Sequence, residues 1–124
     1  MHAALKKPAV SPEVVLTKAT LRASSLLGLS NAALAKVIGV SSSTVSRYSD
    51  SACINPASKT GELALLLVRI FRSLDPLVGS DGERRKQWMH SNNRALNGIP
   101  AELIQKPDGL SRTLAYLDGM RAPL

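Results

Sequence analysis

Leu34-Ala35-Lys36-Val37-Ile38-Gly39-Val40-Ser41-Ser42-Ser43-Thr44-Val45-Ser46-Arg47-Tyr48 reads as two short helices joined by a tight turn. Ala35 is small where the first helix must approach the second. Gly39 comes four residues later, where a positive φ is cheap only for glycine. Val45 follows after six more residues and points back toward Ala35, with Leu34, Ile38, Val40 and Tyr48 supplying the other apolar contacts. Ser30 and Ser41 precede the two helices and can cap their free N–H groups. The pattern is that of a helix-turn-helix, whose second helix lies in the DNA major groove and offers its N-terminal half to base edges. Ser42, Ser43, Ser46 and Arg47 are then the candidate reading residues, with Lys36 and Arg22 as candidate phosphate contacts.

Charge supports this placement. The chain of 124 residues carries a net charge of +7. Residues 1–49 hold six basic side chains (Lys6, Lys7, Lys18, Arg22, Lys36, Arg47) against the single acid Glu13, whereas the rest holds ten basic and eight acidic residues. Basic surfaces attract polyanions, nucleic acid first among them. Apolar residues make up 44% and aromatics only 3%, so the core must be built from Leu, Val, Ile and Ala, which favours helices. The lone Cys53 excludes an internal disulfide and is read as an inert structural thiol in a reducing compartment. No apolar run reaches the ~18 residues that span a membrane, and a cytosolic protein is expected.

Outward from the motif, the chain divides into a tail at 1–10, a helix-turn-helix region at 11–54, a central or dimerisation helix within 55–79 and a C-terminal domain at 80–124. Ser11-Pro12-Glu13 is a strong helix start, and that helix runs to about Leu27, where Gly28 stops it. The motif helices are placed at 31–38 and 42–49. Leu63, Leu66, Leu67, Ile70, Phe71 and Leu74 share one face of a helix over 60–74, ended by Asp75-Pro76. Ala64, Leu65 and Val68 make its opposite side apolar too. A helix apolar on two sides must be covered on two sides, and a homodimer is expected, with Leu65 and Val68 turned to the partner. Further helices are predicted at 82–90 behind the cap Asp81, at 94–97, at 100–105 and at 108–119.

Catalytic groupings are absent from the pattern. His2 and His90 stand alone, no Cys/His pair has metal spacing, and Gly79-Ser80-Asp81-Gly82 lacks the glycine spacing and the lysine of a phosphate loop. No enzyme activity, metal or cofactor is expected.

Trp88, Asn93, Leu96, Gly98, Pro100, Leu103, Ile104 and Gly109 occur in an order that resembles the C-terminal toxin-binding domain of the Xre/MbcA/ParS antitoxins. That family places a Cro-like helix-turn-helix before this domain, and residues 30–49 supply one. The resemblance covers roughly residues 12–121. It implies an all-α chain, a Cro-like helix-turn-helix bundle followed by a small helical toxin-binding domain, dimeric. It further implies a partner toxin of the RES type that consumes NAD, and operator DNA as the second partner. Trp88, Asn93, Gly98 and Pro100 are then residues that build the toxin-binding domain. Leu117, Met120, Arg121 and Leu124 are the candidate contacts that reach the toxin's cleft. The two activities are expected to separate: a fragment from about residue 55 would still neutralise, and loss of residues 117–124 would leave a folded, DNA-binding dimer that protects poorly. The alternative is a stand-alone helix-turn-helix regulator without a toxin partner.

Overall fold

Four helices are capped at their start by a serine hydroxyl. In the computed structural model, which describes residues 11–121, Ser11 accepts from Val14 N, Ser30 from Ala33 N, Ser41 from Thr44 N and Ser58 from Gly61 N, at 3.0–3.1 Å. Such a cap is worth about 1 kcal/mol. The described residues form seven helices: α1 Pro12–Leu26, α2 Asn31–Ile38, α3 Ser42–Arg47, α4 Lys59–Val78, α5 Gly82–His90, α6 Pro100–Leu103 and α7 Pro107–Arg121. The tail at 1–10 and Leu124 lie outside the described residues.

The long helix α4 is the axis. It packs against α1 and α2 on one side and against α5 and α7 on the other. Ala64, Leu67, Ile70 and Leu74 are wholly buried in the shared core with Leu27, Leu34, Ile38 and Val45 from one side and Met89, Ile104, Leu110 and Leu117 from the other. The two apolar faces predicted for this helix are therefore covered mostly within one chain. Val68, expected to face a partner subunit, is only 6% exposed, while Leu65 is 51% exposed. Of the two residues expected to face a partner subunit, Leu65 is left available at the surface, whereas Val68 belongs to the protomer's own packing because α1 covers that side.

Two polar details fix the loop before α4. Thr17 on α1 donates its hydroxyl to Glu13 O at 2.7 Å and accepts from Ile54 N at 2.8 Å, a buried bond that holds residues 51–58 against α1. The same loop lies so close to α4 that a Cβ at Gly61 would overlap Asn55 O and sit 2.8 Å from Pro56.

Four segments differ from expectation. The helix placed at 60–74 continues to Val78, through Pro76. Proline removes the N–H that would bond Arg72 O. The last turn survives because Asp75 is held by Arg85, Val78 packs on the core and Gly79 N bonds Asp75 O at 2.8 Å. Residues 94–97 are a turn rather than a helix. It is closed by an antiparallel bridge between Asn93 and Gly98, and Asn97 takes φ +58. Helix α3 ends at Arg47, and α6 ends at Leu103 because Ile104 already turns the chain toward α7.

Candidate functional site

The α2–turn–α3 unit has the geometry its residues call for. Gly39 adopts φ +74 and ψ +38, its N–H and that of Val40 both return to Ala35 O, and Ala35 and Val45 are buried between the helices. Tyr48 closes the unit from below. Burial pushes its phenol above the ordinary tyrosine range, while the Arg47 charge opposes this, so the ring packs as a neutral group. With the inner side committed to the core, Ser42, Ser43, Ser46 and Arg47 all lie exposed on the outer side of one short helix. At 100° per residue they span an arc of about 140°. The hydroxyl of Ser46 donates to Ser42 O at 3.2 Å, and the Arg47 guanidinium donates to Thr44 Oγ1 at 3.2 Å. Neither contact buries the group, so both can exchange it for a base or phosphate. Lys36 and Arg22 are exposed on α2 and α1.

The C-terminal half is organised around the 93–98 turn. Asn93 accepts from Leu96 N through Oδ1 at 3.1 Å and pairs its backbone with Gly98 in both directions, at 2.8 and 3.2 Å. Arg112 on α7 donates to Leu96 O at 3.1 Å and ties the turn to the last helix. Pro100 is buried at the start of α6, and Gly98 abuts the Leu103 side chain. These contacts hold the turn, α6 and α7 together. Trp88 differs in one respect: it is partly exposed at the edge of the core, and Met89 is the wholly buried residue of α5.

The four candidate toxin contacts do not form one group. Leu117 is wholly buried in the core and is a packing residue, a correction imposed by the period of α7, which turns position 117 inward with Leu110 and Leu114. Met120 is 55% exposed. Arg121 is exposed but engaged: it donates to Ser73 Oγ at 2.9 Å, Ser73 donates to Asp118 Oδ1 at 3.1 Å, and Arg69 donates to Asp118 Oδ2 at 3.3 Å. This polar cluster fastens the end of α7 to α4. Leu124 is outside the described residues.

Sequence reading missed five contributors. Asp118, Ser73 and Arg69 are joined across 45 or more positions, a separation that leaves no local signal. Arg85 has a side chain only 7% exposed, pairs with Asp75 at 3.1 Å and lies 5.2 Å from the Phe71 ring centre. His90, taken as solitary, faces Gly28 O at 3.0 Å and Leu27 O at 3.3 Å through Nε2. Carbonyl oxygens only accept, so that nitrogen carries the proton. The bond ties the end of α5 to the turn between α1 and α2. Cys53 is exposed. Among the described residues no helix is long and apolar enough to cross a membrane.

Comparison with known families accords with this two-part geometry. Residues 10–69 match the antitoxin Xre-like helix-turn-helix domain. Residues 73–122 match the antitoxin Xre/MbcA/ParS C-terminal toxin-binding domain. Curated proteins give no match. Neither matched domain family is an enzymatic one. The helix-turn-helix is thus followed, in order and through one shared helix, by the domain that binds a toxin, and the chain belongs to the Xre/MbcA/ParS antitoxins of toxin–antitoxin systems.

Proposed function

We propose that the protein is the antitoxin of a type II pair that neutralises an NAD-consuming RES-type toxin and, as a cytoplasmic homodimer, represses its own operon. The observation that carries this reading is the end of α7. There, a half-exposed Met120 stands beside an arginine held in place by Ser73 and Asp118, on a segment matching a toxin-binding domain. A group that blocks a cleft must be both exposed and fixed, because ordering a loose chain end at the moment of binding costs free energy. Arg121 offers a guanidinium to a cleft lined by acids or carbonyls. The test is the NAD level in cells that express the product of the adjacent reading frame, with and without this protein. Restored NAD supports the reading. NAD unaffected by the neighbour's product would leave the stand-alone regulator as the better account.

Operator binding rests on α3. Arg47 is the only charged side chain on the outer side of that helix, and arginine to guanine is the commonest specific contact. Arg47→Ala is expected to weaken operator binding by about 1–3 kcal/mol. Lys36→Ala and Arg22→Ala should weaken binding to any sequence alike and reduce its salt dependence. Gel-shift titrations against the upstream region and an unrelated duplex check both. Undiminished affinity in Arg47→Ala would show that another element reads the DNA.

A further inference from the structure

Between α1 and α4 runs an apolar groove of about 300 Å³, walled by Val15, Leu16 and Ala19 on one side and Leu65 and Val68 on the other. Val15 and Leu65 are 52% and 51% exposed, so its rim is apolar and open. Beside it lies the outward stripe of α4: Glu62, Leu65, Arg69 and Arg72, spaced i, i+3, i+7 and i+10, all exposed. Glu62 is the only acid on this stripe. Its one partner is Lys59 at 3.4 Å, with both side chains mostly in solvent, a pairing worth little. Arg72 has no ion-pair partner among the described residues, whereas Arg69 is engaged with Asp118.

We infer that this stripe and groove form a self-pairing surface, on which a second copy of the chain docks with its α4 antiparallel. The inference rests on the homodimer of the preceding reading and names its surface. The stripe is complementary to itself only in that direction. Turned end for end about the level of Leu67, it places Glu62 of each copy opposite Arg72 of the other, two ion pairs related by the dyad. The same turn brings each Leu65 beside the aliphatic stem of the other copy's Arg69, which can cover apolar surface while its charge stays wet. The two Leu65 residues then lie about 6 Å apart along the axis, at 1.5 Å per residue, close enough to share the groove rims. A parallel pairing would oppose Arg72 to Arg72 and Glu62 to Glu62, and like charges repel.

Sedimentation of the full chain tests this. The wild type is expected to be a dimer at tens of micromolar. Leu65→Asp should be a monomer with unchanged helical circular dichroism, because that side chain makes no core contact. Glu62→Arg and Arg72→Glu should each weaken dimerisation about tenfold, since each breaks two exposed pairs and creates two repulsions. The double variant Glu62→Arg/Arg72→Glu should recover to within about threefold of wild type, because the charges face each other again with their signs exchanged. A monomeric wild type, a dimeric Leu65→Asp or a double variant weaker than either single one overturns the inference. The NAD assay keeps the two ideas apart: a monomeric Leu65→Asp that still restores NAD leaves the antitoxin reading standing, and a dimer that never restores NAD leaves this surface standing.

Discussion

Gly109→Ala is expected to destabilise the protein by about 4 kcal/mol or more, a large share of the whole stability of a small domain. Gly109 lies in the first turn of α7, buried against α6. A Cβ there would overlap the Leu103 carbonyl oxygen and sit 2.7 Å from its carbon and 3.3 Å from its Cα. Backbone cannot step aside as a flexible side chain can, so α6 and α7 must separate. Because α7 covers one side of α4 and α1 and α2 cover the other, the loss spreads to the helix-turn-helix, and operator binding should fall with the melting temperature. A drop of roughly 15 °C is expected at the usual scale for this chain length. Gly119→Ala in the same helix is the control. It meets nothing within 4 Å, and alanine should stabilise the helix there by up to about 1 kcal/mol. Thermal melts of the two variants decide the matter: equal stability would mean that the α6–α7 contact yields more easily than its geometry indicates.

The contrast between those glycines shows what the sequence could and could not disclose. Helix starts were legible because a cap is a local event, one hydroxyl three residues from the N–H it satisfies, as Ser11, Ser30 and Ser41 illustrate. Gly39 was legible because a left-handed residue between two short amphipathic runs has few other uses. Gly109 was recognisable only as part of a family pattern, since the atom that forbids a side chain belongs to another helix. Pro76 misled for a related reason: proline ends helices in isolation, but tertiary contacts of Asp75 and Val78 outweigh one missing hydrogen bond. Arg85 had a faint signal, four residues before the buried Met89 and hence on the same helical face, yet its partner Asp75 and the Phe71 ring come from α4. Leu117 was misassigned because it was grouped with the candidate contacts at the chain end, although its spacing of three from Leu114 and seven from Leu110 marks the inner face of α7. The candidate reading residues of α3 needed only the helical period.

Neutralisation and DNA binding are expected to separate by point substitution and not by truncation. From the sequence, a fragment starting near residue 55 should fold, since each half carries its own apolar helices. The structure removes the basis for that. Removing residues 1–54 would strip from α4 the cover of α1 and α2, exposing one side of Ala64, Leu67 and Val68, and would take away the Gly28 carbonyl that receives His90. Burying a single aliphatic side chain is worth about 1.5–3 kcal/mol, so several lost at once exceed what a domain this small can spare. The fragment should aggregate and fail to rescue cells from the toxin. Removal of residues 117–124 is no cleaner. It deletes the wholly buried Leu117 and the Asp118 that binds Ser73 and Arg69, so DNA binding should be lost along with protection. Arg121→Glu would set a carboxylate beside Asp118 and blur the same distinction. Met120→Asp is the informative variant, because Met120 is more than half exposed and lies outside the core. It should melt like wild type, bind the operator like wild type and fail to restore NAD in toxin-expressing cells, while Arg47→Ala should show the reverse pattern. Full protection by Met120→Asp would mean that the toxin is held by a surface other than the end of α7, and rescue by the 55–124 fragment would mean that α4 and α7 form a stable pair without the helices that cover them here.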